Sequence, residues 1–382
     1  MKFVLFYHSL VSDWNHGNAH FLRGVASELV ARGHRAVVYE PEEGWSRNNL
    51  LADHGQAACD EVARVYPELE GRLYSLSALD LDRALDGADV AIVHEWNEPE
   101  LIRRVGEHAR TSRCRAFFHD THHRSVTDPN GMNALDLEHY AGVLAFGRTV
   151  ADRYVENGWA RSAWVWHEAA DLRRFHPRKA GEREGDLVWI GNWGDEERTS
   201  ELHEFLIDPV RELRLEAKVH GVRYPRRALE ALENAGIEYG GWIPNYRVPE
   251  LFARYSMTVH VPRRAYAEKL VGVPTIRMFE ALACGIPLIS APWRDSENLF
   301  RPGFDYLVAK DGHQMRECMR ALLCDGELAA SISQQGLETI SARHTCRHRV
   351  DELFDILADL GVAPERTARR DGVPRLMAAG EG

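Results

Sequence analysis

The chain has 382 residues, more than one hydrophobic core ordinarily supports, so two domains are expected. Its 45% hydrophobic and 27% charged residues are those of a soluble globular protein, and no apolar run approaches the roughly 18 residues that a membrane span needs. A formal charge of -11 excludes the broad cationic surface on which non-specific nucleic-acid binding depends.

Phe3 to Tyr7 predicts a strand; its apolar part is too short for a signal peptide and no cleavage site follows, which implies a cytoplasmic protein. A polar loop, Ser9 to Asn18, leads to an amphipathic helix from His20 to Arg32 stopped by Gly33, and Arg35 to Tyr39 completes a βαβ unit. Further strands are expected at Val90 to His94, Arg115 to His119, Gly142 to Phe146 and Ala163 to Trp166. Strands alternating with helical patterns imply a parallel, doubly wound sheet.

The charged, Gly-containing stretch from Arg178 to Gly185 reads as a hinge, after which the alternation restarts. Strands are expected at Asp186 to Ile190, Glu216 to His220, Ile237 to Tyr239, Met257 to Val261 and Leu288 to Ser290, with helices to about Arg214, over Pro225 to Ala235 and over Val248 to Tyr255. A last helix, about His348 to Leu360, is expected to pack back on the first domain. The domains are thus 1–177, 178–345, a C-terminal helix in 346–362 and a flexible tail, 363–382. The six cysteines include no C-x-x-C pair, so buried thiols are expected rather than a zinc site or disulfide framework.

The segment from Pro274 to Ser290 carries the most chemistry. Thr275 stands where it would cap a helix whose first-turn N–H groups face an anion in the preceding Leu270 to Val273 loop. Arg277 and Glu280 are three apart, hence on one face; a guanidinium suits a diphosphate, and a carboxylate accepts both hydroxyls of a ribose. The same residues also suit an ordinary helix-Gly-Pro-strand junction with a surface ion pair. His220 ends a strand at its carboxyl edge, where open α/β sheets bind ligands, or merely caps that strand.

Three polar loops follow strands of the first half: Ser12 to His20, His94 to Glu98 and His119 to Arg124. An acceptor hydroxyl that loses its proton needs a carboxylate or imidazole within reach, which makes Asp120 and His122 (or His123) the candidate catalytic groups, with His16 and Asp13 next. Asn18, His20, His94 and Glu95 are candidate acceptor contacts. Each of these alone also suits a structural cap. His119, His122 and His123 lack the i, i+4 spacing of a helical metal site, so no metal is expected. Trp14, Trp96 and Trp193 offer rings for a sugar or for the core.

Taken together, Trp189-Ile190-Gly191-Asn192-Trp193, Tyr239-Gly240-Gly241-Trp242-Ile243-Pro244, Pro249 to Ala253, Arg277 to Gly285 and Gly303 to Leu307 resemble the GT-B glycosyltransferases. The similarity is greatest to the spore-maturation-protein-like branch with its glycosyltransferase group 1 C-terminal module, and is specific from about Asp186 to Asp305. The resemblance implies an α/β fold of two Rossmann-like domains facing each other across a cleft. It implies transfer of a sugar from a nucleotide-diphosphate sugar to an acceptor on the N-terminal domain, without cofactor or metal, and with no nucleic-acid partner. By it Glu280 holds the donor ribose, Arg277 and the Gly272 loop approach the diphosphate, and Ile243 borders the base. Gly191 and Asn192 admit the phosphates, with Arg198 or Arg223 as charge partner; Arg198 suits a helix-surface charge equally.

One position departs from that family. Many retaining members carry a Glu eight residues before the ribose-binding one, and here that residue is Gly272, which leaves the stereochemistry open. Two further readings share the scaffold. One is a nucleotide-sugar epimerase of the UDP-N-acetylglucosamine 2-epimerase kind, for which no acid-base set is evident. The other is a noncatalytic nucleotide-sugar-binding protein, which Gly272 keeps open. A dehydrogenase is disfavoured by the absence of Gly-x-Gly-x-x-Gly after the first strand.

Overall fold

The computed structural model describes residues 1–15, 17–179, 181–362 and 375–377. In the first unit β1 (Lys2–Phe6), β2 (Arg35–Pro41), β3 (Glu70–Tyr74), β4 (Val90–His94), β5 (Arg115–Asp120), β6 (Gly142–Ala145) and β7 (Ser162–Val165) form a parallel sheet in the order β7-β6-β5-β4-β1-β2-β3. The central strands β4 and β6 are buried along their whole length, as apolar runs covered on both faces must be. β3 is different. Its Glu-Gly-Arg-Leu-Tyr sequence is largely exposed at the sheet edge, so no apolar run announces it. The helix Asn18–Ala31 stops where Gly33, at φ 81°, donates its N–H to Val30 O at 2.9 Å.

In the second unit β8 (Gly185–Ile190), β9 (Ala217–His220), β10 (Ile237–Tyr239), β11 (Tyr255–His260), β12 (Leu288–Ser290) and β13 (Leu307–Val308) make a second parallel sheet, ordered β10-β9-β8-β11-β12-β13. Its core gathers Leu187, Trp189, Val219, Met257 and Ile289 with apolar side chains of the covering helices. The helical run from Thr199 passes through a wide turn at His203–Ile207 and ends at Leu213, with Arg214 in the left-handed region at φ 54°.

The chain divides after Glu168. Met1–Glu168 and the chain from Cys346 make one compact unit, and Ala169–Thr345 the other. Residues 169–177, expected with the first domain, lie in the second unit because Ala170 bridges to Thr345 and donates its N–H to His344 O at 3.0 Å. Within the first unit, the helix Cys346–Asp359 lies against Asn18–Ala31, where Arg32 pairs with Asp351 at 2.8 Å and the Phe354 ring stacks on His34. Of the expected tail, Arg375–Met377 forms β14, antiparallel to β7, while residues 363–374 and 378–382 lie outside the described residues. No helix among the described residues is long and apolar enough to cross a membrane.

Candidate active site

In the second unit, the helix Ile276–Cys284 begins at Thr275, whose backbone is extended as in an N-cap but whose side chain makes no capping bond, contrary to expectation. Glu280 is fully buried. Its Oε1 accepts from Asn245 Nδ2 at 2.7 Å, and its Oε2 accepts from Arg277 Nη1. The expected shared face of Arg277 and Glu280 is therefore a closed ion pair.

Gly272 has φ 93° and donates its N–H to Arg294 O at 2.9 Å, and a Cβ at this position would overlap Ser296 Oγ. The missing acidic residue is thus a conformational matter as well as a chemical one. This backbone favours glycine over any residue with a side chain.

Arg198 is not the helix-surface charge that its position allowed. The half-buried guanidinium donates to Val261 O at 2.9 Å, to Trp193 O at 3.3 Å and to Asn192 O, and it lies 5.1 Å from the Trp189 ring centroid. Burial, reinforced by the charge of Arg263, lowers its pKa to about 10. Among the described residues no carboxylate pairs with it; Glu197 bonds Arg263 instead. Gly191 and Asn192 are held beside it by Tyr224 Oη donating to Gly191 O at 2.6 Å and Val222 N–H donating to Asn192 Oδ1 at 2.9 Å. A Cβ on Gly221 would overlap Gly191 O, so this close backbone approach requires glycine there. His220 closes the group with Nδ1 3.2 Å from Gly241 O, and burial lowers its pKa. Ile243 is half-buried in the following turn, whereas Arg223 is exposed.

In the first unit the three polar loops converge on Thr121. His94 Nε2 lies 3.0 Å from Thr121 Oγ1, Asn18 Nδ2 donates to the same oxygen, and Thr121 N–H donates to Glu95 Oε1 at 2.9 Å. Asp120, the last residue of β5, is fully buried and accepts from His122 N–H at 2.9 Å and Tyr154 Oη at 2.7 Å. Burial raises the pKa of both Glu95 and Asp120, and the charge of Asp120 pushes Glu95 further up. Asp120 thus braces the 120–123 loop from within.

His20, His94 and Glu95, the candidate acceptor contacts, are equally enclosed, and His94 and Glu95 hold the loops together through Thr121. His122 is half-buried, with its ring 4.9 Å from Trp96 and 3.9 Å from His123. His16 lies outside the described residues. Of the three tryptophans offered as sugar platforms, Trp14 and Trp193 are core and Trp96 is exposed. Among the described residues no group of three or more His, Cys, Asp or Glu is set to hold a metal ion.

Residues 198–355 match the model of a family described as glycosyl transferase-like. No curated protein matches the sequence. Solved structures similar to the chain include sucrose-phosphate synthase from Thermosynechococcus elongatus, at 13% identity and TM-score 0.64 over 94% of this chain and 99% of that one. HepE from Anabaena, in complex with UDP-glucose, aligns at 14% identity and TM-score 0.66 over 94% of this chain and 100% of that one. An alpha-glucosyltransferase in complex with UDP-glucose and DNA aligns at 12% identity and TM-score 0.67 over 94% and 99%. The fold is GT-B. Within this GT-B chain the family match takes in Arg198, His220, Gly272, Arg277 and Glu280, and it runs on into the helix Cys346–Asp359. What the sequence left out was the enclosure of its candidates. Nothing local to Arg198 marks it as a cation wrapped by carbonyls.

Proposed function

We propose that the chain is a cytoplasmic glycosyltransferase whose second unit binds a nucleotide-diphosphate sugar and whose first unit holds the acceptor. The observation that carries this reading is Arg198. Its carbonyl partners hold the half-buried guanidinium in place and supply dipoles without neutralising its charge, which leaves it suited to an anion. A diphosphate at the carboxyl ends of β8 and β11, against the Gly191 backbone, completes that pairing. The same cation then stabilises the nucleoside diphosphate as it leaves, a role we assign to arginine rather than to a metal.

Glu280 is assigned to the donor ribose, as the residues of the Arg277 to Gly285 segment imply. With Asn245 fixed on Oε1, donor binding turns Arg277 away from Oε2 and towards the diphosphate, so one movement readies both groups. His122 is the group assigned to take the acceptor proton, with Asp120 positioning it through the His122 N–H. Similar structures carry UDP or UDP-glucose, which makes a uridine-diphosphate hexose the first donor to test. The motifs at Tyr239 to Pro244 and Arg277 to Gly285 support a place beside the spore-maturation-protein-like branch.

A noncatalytic nucleotide-sugar-binding protein is the second reading, favoured by the Gly272 backbone, whose positive φ strains the acidic residue that many retaining enzymes carry. Calorimetric titration separates the possibilities. UDP is expected to bind the wild type, and Arg198→Ala to weaken it tenfold or more, about 1.4 kcal/mol. A folded protein that takes neither UDP nor UDP-glucose overturns the donor site, while tight UDP-glucose binding without donor hydrolysis or transfer selects the second reading.

A further inference from the structure

The first unit contains a cavity of ≈ 600 Å³ at the carboxyl ends of β1 to β4, whose walls include Trp45 and Trp96. These side chains are 45% and 43% exposed, an unfavourable placement for indoles unless something covers them. Neither ring is loosely held. Trp45 meets Trp14 edge-on at 5.3 Å, and Trp14 is itself tied through Nε1 to Asp53 at 2.9 Å. Trp96 sits in a loop fixed by Asn97, whose Nδ2 donates to Phe6 O and His94 O at 2.8 Å each. The Arg124 guanidinium lies 5.3 Å from the Trp96 ring centroid, and the His122 ring stands 4.9 Å away. The cavity wall thus adjoins the imidazole assigned above to proton transfer.

Charge and polarity narrow the occupant. Among the described residues the lining includes the carboxylates of Glu43 and Glu98 and the hydroxyls of Ser75 and Ser77, and no lysine or arginine. A phosphate or nucleic-acid backbone would meet like charge from Glu43 and Glu98, with Arg124, beyond the Trp96 ring, as the cation near the wall. A neutral sugar ring suits both features. Its C–H faces cover indole surface, and its hydroxyls donate to carboxylates and exchange bonds with serines. The rings are already in place, so little side-chain entropy is lost on binding.

We propose that this cavity is the acceptor subsite and that the acceptor presents an uncharged carbohydrate ring to it. The proposal rests on the glycosyltransferase reading and names the acceptor class which that reading leaves open. The test uses the full-length protein without donor, probed by saturation-transfer NMR with neutral trisaccharides of glucose, galactose, mannose and N-acetylglucosamine. Glucose 6-phosphate and a short single-stranded DNA serve as anionic probes.

At least one neutral trisaccharide is expected to bind, with affinity reduced tenfold or more by Trp45→Ala and by Trp96→Ala and largely restored by Trp45→Phe. Thermal melting shows whether each variant is folded, and UDP titration of the same samples reports on the second unit. Binding of none of the four sugars, preference for an anionic probe, or sugar binding unchanged in folded Trp45→Ala overturns the proposal. UDP binding without sugar binding overturns this subsite alone, whereas sugar binding without any nucleotide binding overturns the transferase reading on which it rests.

Discussion

Glu95 and Asp120 stand at the ends of adjacent strands with their carboxyl groups closed off from water, where burial and mutual repulsion disfavour two negative charges. Asp120 has two donors, His122 N–H and Tyr154 Oη, so it keeps the charge better than Glu95 does. Burial and this neighbour raise Glu95 well above its ordinary 4.5. Because the folded state holds a proton that the unfolded chain releases above about 4.5, Glu95 contributes most at low pH. Its contribution is lost as pH rises towards the folded value. Glu95→Gln mimics the protonated acid, so urea unfolding should find the variant within about 1 kcal/mol of wild type near pH 4.5 and relatively more stable as pH rises. A wild-type advantage that grows with pH would show Glu95 ionised in the fold and overturn the raised pKa.

At the scale of elements, the loop from Leu270 to Thr275 and its helix show why a motif can be legible and its chemistry not. The helix Ile276–Cys284 announced itself by its apolar face and by Gly285, which takes φ 67° to end it. The central strands were legible for a similar reason, since burial on both faces demands uninterrupted apolar residues. β3 was not, because an edge strand needs no such run, and the Thr275 cap was expected from residue type alone. Arg198 and Asp120 were legible as candidates, but their surroundings were not, because these are assembled from distant positions, Val261 for one and Tyr154 for the other. Gly272 was visible as a departure, and its backbone gives the reason. Restoring the acidic residue as Gly272→Glu should lower stability by about 1–3 kcal/mol through strain at positive φ. The variant should bind UDP-glucose no more tightly than wild type. A melting temperature unchanged by the substitution, with tighter donor binding, would mean that the loop relaxes easily and that only the side chain was missing.

For the molecule as a whole, the division into units does not follow chain order, because the first unit is closed by residues that come after the second. In the helix Cys346–Asp359, Val350, Leu353, Ile356 and Leu357 are buried, and Trp166 Nε1 donates to Arg349 O at 2.8 Å. Four such aliphatic side chains contribute on the order of 6–12 kcal/mol by area, an upper figure since unfolded chains bury some of it already. That is comparable to the roughly 5–15 kcal/mol that holds an entire domain folded. The second unit instead ends on its own contacts, with Ala170 bridged to Thr345 and His344 bonded to Leu299 O at 2.8 Å. A chain stopped after Thr345 should therefore lose the first unit and keep the second. Hydrogen exchange would show the amides of β1, β4, β5 and β6 exchanging rapidly while those of β8, β9 and β11 stay protected. Equal protection of both sheets in the shortened chain would mean that the first unit closes its core without the C-terminal helix, and that this helix covers a surface already stable by itself.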